Sequence, residues 1–307
     1  MSKERLVECI PNVSEGCDSR VLSQLVRSLE GFSQVALLDL HRDPDHHRSV
    51  FTVVGEAPVM EDALLAFVAE VKGLVDIRRH HGHHPRVGIV DVLPLVPMGG
   101  MTQEDCIHMG RALGRRIGNE LEIPVFFYEA ASQNSDRFRL EEIRRGGIES
   151  LRHRMETDAS WKPDFGPDRL HPTAGALALG VRFFLIAFNV VLQSSDIQVA
   201  DRIAKKVRTS GGGLPALKAI GVELSSRHLV QVSMNLTDYR ITSLADAFWA
   251  VEQEAVRHGV KVAESEVVGL IPEKAWEEGL DSTLKIQNWN PDQILETRLQ
   301  QKYLFSQ

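Results

Sequence analysis

One rhythm runs through this chain twice: strand, helix, paired strands, helix, strand. In the first half, residues 6–11 alternate short apolar and polar side chains and end at a proline, as a strand does before the turn Asn12-Val13-Ser14-Glu15-Gly16. Asp18 or Ser19 then caps a helix that runs to about Leu29. Residues 35–40 and 49–54 are strand candidates that pair as a hairpin across Asp43-Pro44-Asp45. Met60, Ala63, Leu64, Phe67, Val68 and Val71 recur at three- and four-residue steps and mark one face of a helix, and residues 87–96 are the strand that follows. The second half repeats the order with a strand at 183–192, a helix at 197–207, strands at 217–224 and 229–236, a helix at 243–258 and a strand at 267–271. This is the ferredoxin-like order. The repeat is one of organisation, not of residue identity.

Between the halves, Thr102 and Asp105 resemble a capping box for a helix with Met109, Leu113, Ile117 and Leu121 on one stripe, and residues 124–128 form the next strand. Residues 136–168 are polar and weakly patterned, and read as a helix followed by irregular loop; a loop of that length is functional or a linker. From Glu273 the tail reads as helical and packed on the outside.

Composition excludes several classes. The 307 residues are 43% hydrophobic and 25% charged, with a net charge of −7, which describes an ordinary globular protein and not a disordered chain or a general nucleic-acid binder. The most apolar run, 183–192, is too short for a membrane span and is interrupted by Asn189. The first residues lack the apolar core of a signal peptide. Cys9, Cys17 and Cys106 are odd in number and widely spaced, as reduced thiols of a cytoplasmic protein are. GxGxxG, GxxxxGK[ST], HExxH and GxSxG are all missing, so dinucleotide, P-loop, zincin and α/β-hydrolase chemistry are disfavoured.

Histidine is the conspicuous chemistry. Arg78-Arg79-His80-His81-Gly82-His83-His84-Pro85-Arg86 holds four of the 12 histidines, and His41, His46 and His47 form a second group. The first cluster reads as a metal site disfavoured by its flanking arginines, as a general acid/base, or as a solvated loop of defined geometry. Arg48, at the start of a strand, can hold a carboxylate through two parallel hydrogen bonds or make a surface salt bridge. Asn12 and Ser14, at a strand end, can bind a ligand or close a turn. Gly211-Gly212-Gly213 permits close backbone approach to a ligand or forms a flexible loop.

Seven stretches in order give the chain a resemblance to the glutamate formimidoyltransferases, the transferase half of formimidoyltransferase-cyclodeaminase. They are Val7-Glu8-Cys9-Ile10-Pro11-Asn12-Val13-Ser14-Glu15-Gly16, His46-His47-Arg48-Ser49-Val50, Arg79-His80-His81-Gly82-His83-His84-Pro85-Arg86-Val87-Gly88, Pro163-Asp164-Phe165-Gly166-Pro167, Arg182-Phe183-Phe184-Leu185-Ile186-Ala187-Phe188-Asn189, Gln231-Val232-Ser233-Met234-Asn235-Leu236 and Val267-Val268-Gly269-Leu270-Ile271-Pro272. There is no room for a cyclodeaminase domain, so the chain resembles the monofunctional form.

The resemblance implies an α+β fold of two ferredoxin-like subdomains, 1–180 and 181–307, the second with the helical tail, their sheets packed together around a central groove with helices outside. It implies a cytoplasmic homodimer with small-molecule substrates, no nucleic acid and no membrane. The implied reaction is N-formimidoyl-L-glutamate plus tetrahydrofolate giving 5-formimidoyltetrahydrofolate and L-glutamate, in histidine degradation and one-carbon metabolism, with the folate as co-substrate and no metal. The family's catalytic histidine stands directly before Pro-Arg, here His84. A histidine titrating near neutrality can take the N5 proton and then protonate the departing nitrogen. Substrate contacts are implied at Asn12, Asp39, His47, Arg48 and Arg86. Folate contacts are implied at Asp164, Phe165, Gly166 and Pro167 and at Gly211, Gly212 and Gly213.

The sequence departs from the family at His47, where Asn is usual, at His41, where some members carry Asp, and at Leu177, where Thr is usual. Formyl transfer between 5-formyltetrahydrofolate and glutamate, a non-catalytic folate-binding protein and a metal-dependent hydrolase are the rival readings.

Overall fold

A computed structural model describes residues 5–44, 47–81, 85–287 and 289–304. It divides into two compact units: one runs to Arg182 and takes in the last residues from Gln301, and the other is Phe183–Gln300.

The first unit contains β1 (Leu6–Cys9), β2 (Asn12–Val13), α1 (Ser19–Glu30), β3 (Val35–Asp43), β4 (Arg48–Glu56), α2 (Ala57–Leu74), β5 (Val90–Pro97), α3 (Gln103–Glu120), β6 (Val125–Glu129), α4 (Leu140–Arg144), α5 (Gly147–Thr157) and β7 (Leu177–Val181). β3 pairs with β4, and β4 pairs with both β1 and β2, which pair on their other side with β5; every one of these pairings is antiparallel. β7 then runs parallel to β5 on one side and to β6 on the other. Strands joined by a single helix are thus separated by one intervening strand, the arrangement of a split βαβ, whereas β6 and β7, joined through α4 and α5, lie side by side.

Proline explains the break between β1 and β2. Pro11 has no N–H to give a ladder. Its carbonyl still accepts from the Phe51 amide at 3.0 Å, and Ile10 donates to the Pro94 carbonyl at 3.2 Å, so the chain keeps its course and resumes as strand at Asn12. The turn expected from Asn12 therefore starts after Val13. Asn12 lies between Val50 and Val92, inside the sheet.

The helices start where the sequence marks them. The Asp18 carboxylate accepts from the amides of Arg20 and Val21, and Thr102 and Asp105 cap one another reciprocally, each device stabilising a helix end by about 1 kcal/mol. α1, α2 and α3 bury Leu25, Phe67 and Leu113 against Val7, Phe51, Val53 and Leu93 of the sheet. A second cluster, with Phe126, Tyr128, Ile143, Leu151 and Trp161, brings α4 and α5 onto the β5–β7–β6 end.

In the first unit β5 and β7 differ from expectation. β5 begins at Val90 and not at residue 87, because the Asp91 side chain takes the Val87 amide at 2.8 Å. β7 merges in sequence with the apolar run that follows it. A strand buried between two parallel neighbours has no alternation to show.

The second unit contains β8 (Ile186–Leu192), α6 (Ile197–Val207), β9 (Leu217–Leu224), β10 (Leu229–Leu236), α7 (Leu244–Arg257) and β11 (Val262–Val268). Its antiparallel sheet has the order β11-β8-β10-β9, again with one strand inserted in each helical crossover. The segment from Glu273 folds as short turns with α8 (Leu280–Thr283) and α9 (Leu295–Leu299), and it buries Leu284, Ile286 and Ile294 in this unit's core. No helix among the described residues is long and apolar enough to cross a membrane.

Candidate functional site

A small cleft in the first unit is lined by Asn12, Val13, Ser14, Arg48, His80, Arg86 and Asp91. Its floor follows from the Pro11 break. Asn12 donates from Nδ2 to the Ile10 carbonyl at 2.8 Å, which orients its amide so that Oδ1 accepts from Arg48 Nη2. Ser14 Oγ donates to the Gly88 carbonyl at 2.8 Å and is itself buried.

Arginines gather here around the buried acid Asp91. Asp91 is 2% exposed; its Oδ1 accepts from the Val87 amide and its Oδ2 from Arg144 Nη2. Burial pulls the Arg48 guanidinium down to about 10, Arg144 adds to that, and Asp91 and Asp43 oppose it. Burial also lowers Arg86, against the pull of Asp91. Arg48 and Arg86 remain cations at neutral pH. Asp91 and Asp43 both act as counter-ions to Arg48, and the guanidinium groups of Arg48 and Arg86 in the cleft suit a carboxylate.

Two histidines form the wall. Arg86 Nη2 donates to the His80 carbonyl at 3.0 Å. His80 Nε2 lies 2.7 Å from the His47 carbonyl, so the proton sits on Nε2 and Nδ1 carries the lone pair. Burial pushes His80 down to about 4, against that hydrogen bond and with Arg86 adding to the shift, so the ring is neutral at pH 7. The ring stacks on His47 with centroids 4.5 Å apart. His47 has a left-handed backbone (φ 50), and its Nε2 faces Glu15 Oε1 at 3.3 Å. Burial raises the Glu15 carboxyl, but the amides of Asp18 and Cys17, helped by His47, outweigh it and hold the group below its usual range. Gly16 allows this crossing of loops: a Cβ there would stand 2.5 Å from both the Arg48 nitrogen and the Asp43 carbonyl.

The family model for the formiminotransferase domain, N-terminal subdomain, matches residues 6–182, and that for the formiminotransferase domain matches residues 187–287. The chain belongs to the formiminotransferase family. It is 40% identical over 296 residues to the glutamate formimidoyltransferase of Streptococcus pyogenes serotype M1, covering 96% of this chain and 99% of that one. It is 39% identical to the glutamate formimidoyltransferase of Thermoplasma acidophilum, over 96% and 97% of the two chains. The formimidoyltransferase-cyclodeaminase of Sus scrofa is 40% identical over 88% of this chain and 51% of its own length.

Within the N-terminal formiminotransferase subdomain the cleft unites Asn12, Arg48 and Arg86, with His47 behind His80. Asp39 stands on β3 opposite Thr52, after a bulge, and does not line the cleft. His84 lies outside the described residues, as do His46 and His83. Asp164 accepts from the Phe127 amide at 2.7 Å and pairs with Arg137 at 2.7 and 3.2 Å. Phe165 packs edge-on against Phe127, and Gly166 abuts Gly118 of α3. Pro167 follows, half-buried, in the same stretch. In the second unit, Gly211 and Gly213 donate to the Arg208 carbonyl and close the end of α6. A Cβ on Gly211 would meet the Lys205 carbonyl at 1.7 Å, and Gly212 has φ 79.

Leu177, where the family usually carries Thr, is 1% exposed in the core of the first unit and does not line the cleft. Ser14 and His80, both weighed in the sequence, line the cleft, and sequence reasoning missed Asp91 and its partner Arg144. Asp91 had a signal: a lone acid inside the apolar run Val90-Asp91-Val92-Leu93 must find a partner when buried. Among the described residues, Glu15, Cys17 and His47 are the one group whose donor atoms could together hold a metal ion.

Proposed function

We propose that this chain transfers the formimidoyl group of N-formimidoyl-L-glutamate to N5 of tetrahydrofolate, giving 5-formimidoyltetrahydrofolate and L-glutamate. The observation that carries the reading is the oriented Asn12–Arg48 pair beside Arg86, in a chain that aligns end to end with a protein named glutamate formimidoyltransferase. Arg48 and Arg86 hold a glutamate carboxylate, Asn12 fixes the Arg48 fork, and His47 borders the same substrate. Asp39 is a more distant contact.

The chemistry needs a proton shuttle and no covalent nucleophile. N5 attacks the formimidoyl carbon, a tetrahedral intermediate forms, and the glutamate nitrogen leaves with a proton. His84 takes the first proton and delivers the second. Holding both substrates side by side supplies much of the remaining rate. His80 is ill suited to this role, because a ring held at about 4 by burial is a weak proton acceptor and its N–H is committed to the His47 carbonyl. The folate contacts run through Phe165, Gly166, Pro167 and the backbone of Gly211, Gly212 and Gly213, since Arg137 already engages the Asp164 carboxylate. The same reading takes the protein as a cytoplasmic homodimer of two ferredoxin-like subdomains, acting in histidine degradation.

The test is a spectroscopic assay of purified protein with tetrahydrofolate and N-formimidoyl-L-glutamate, with and without chelator. Product should form at the same rate in both. Absence of product from a protein that binds folate in a parallel titration would overturn the transferase reading.

A further inference from the structure

Three donor atoms of different kinds meet on the surface of the first unit, behind the wall of the cleft. They are a carboxylate oxygen of Glu15, the Cys17 sulfur and an imidazole nitrogen of His47, all within 4.8 Å of one another. We propose that Glu15, Cys17 and His47 bind a divalent cation of the zinc class, with water as the fourth ligand.

The fold brings the three together from separate places. Gly16 lets the loop after β2 lie directly on the backbone of Asp43 and Arg48. Ser49 Oγ donates to the Glu15 carbonyl at 2.6 Å and ties that loop to β4. The His47 amide donates to the Pro44 carbonyl at 3.2 Å, and its ring leans on His80, so the imidazole is held facing Glu15. Glu15 Oε1 accepts from the amides of Cys17 and Asp18 at 2.7 and 2.8 Å, which leaves Oε2 for a metal. Cys17 is exposed, and its sulfur has only a long contact of 3.8 Å with the Pro44 carbonyl.

Donor chemistry selects the ion. Magnesium and calcium take oxygen ligands, whereas a thiolate, an imidazole and a carboxylate suit zinc. Zinc draws its ligand atoms to roughly 2.0–2.3 Å, so the three must close by about an ångström. Rotation of the exposed Cys17 side chain can supply most of that. Glu15 and Asp43 supply negative charge near the sulfur, and Arg42 opposes them. Asp18 caps α1 and offsets the positive end of that helix. On binding, the Cys17 thiol loses its proton to solvent, so affinity should rise with pH.

The experiment is a titration of the full, reduced chain with Co2+, followed by displacement with Zn2+. Cys9 and Cys106 are buried, so a thiolate-to-cobalt charge-transfer band reports Cys17. The band should saturate at one equivalent, disappear when Zn2+ is added, and be absent from Cys17→Ser. Glu15→Gln should keep the band but weaken the affinity by more than the roughly 10-fold that loss of an outer-shell partner costs. Cobalt held by the histidines of the 80–84 segment would give ligand-field bands without charge transfer. If that is all the wild type shows, or if the band survives in Cys17→Ser, the site does not exist.

Discussion

Asp91→Asn isolates the charge at the centre of the arginine cluster. The amide is isosteric and can still accept from the Val87 amide, so what is lost is the negative charge that faces Arg144. The Asp91 and Arg144 side chains are 3% and 15% exposed, so water screens little of the interaction. Removing one partner of such a buried pair costs about 3–5 kcal/mol, because the other charge is left buried without compensation. Retention of the Val87 bond places Asp91→Asn near the lower end, about 3 kcal/mol. In a unit the size of the first one about 1 kcal/mol moves the midpoint by roughly 2–4 °C, so its melting temperature should fall by roughly 6–12 °C in circular dichroism. Asp91→Asn with Arg144→Met removes both charges, keeps the acceptor for the Val87 amide and should recover most of the loss, since no lone buried charge remains. Arg48 and Arg86 lose an attractive neighbour but stay charged at pH 7, so carboxylate binding should persist in the folded fraction. An Asp91→Asn protein that melts within about 2 °C of wild type, or a double variant no more stable than the single one, would refute the assignment.

His84→Ala should lower turnover by roughly 10²–10⁴-fold with folate affinity nearly unchanged in a binding titration; a variant within threefold of wild type would remove His84 from the mechanism. Arg48→Ala should raise the KM for N-formimidoyl-L-glutamate, and an effect confined to the melting temperature would make Arg48 a structural cation only. His80 is held at about 4, below its ordinary 6.5, so the unfolded chain takes up this proton first as pH falls. Its contribution is therefore level above about 6.5 and is lost between there and about 4. Urea melts of His80→Gln, which keeps a donor for the His47 carbonyl, should show a shallower pH dependence than wild type over that window, and equal slopes would dismiss the buried-histidine account.

Elements whose side chains alternate or recur were legible, since local periodicity needs no knowledge of partners. α1, α3 and α7 begin at the caps their sequences display. β7 was not legible, because its Leu-Ala-Leu-Gly-Val runs into an equally apolar segment and no turn residue separates them. β11 starts at Val262, earlier than expected, because its polar Glu264 and Glu266 alternate with a face that the unit buries only in part.

The cleft was legible in its family motifs and opaque in its supports, and the two facts have one cause. Asn12, Arg48 and Arg86 stand in motifs short enough to recognise. What holds them is long-range: Arg144 meets Asp91 across 53 positions, and Asn12 meets Arg48 across 36. No local pattern names such a partner. Local pattern does flag the need for one. An acid inside an apolar strand, an asparagine continuing a strand past a proline and a glycine where two loops cross are each costly unless something distant compensates. At Asp91, Asn12 and Gly16 that compensation is, in turn, Arg144, Arg48 and the Asp43–Arg48 backbone, and together they form the frame of the cleft. Residues that break the pattern of their own element therefore locate this site as well as the histidine-rich motif does, and they do so without reference to any relative.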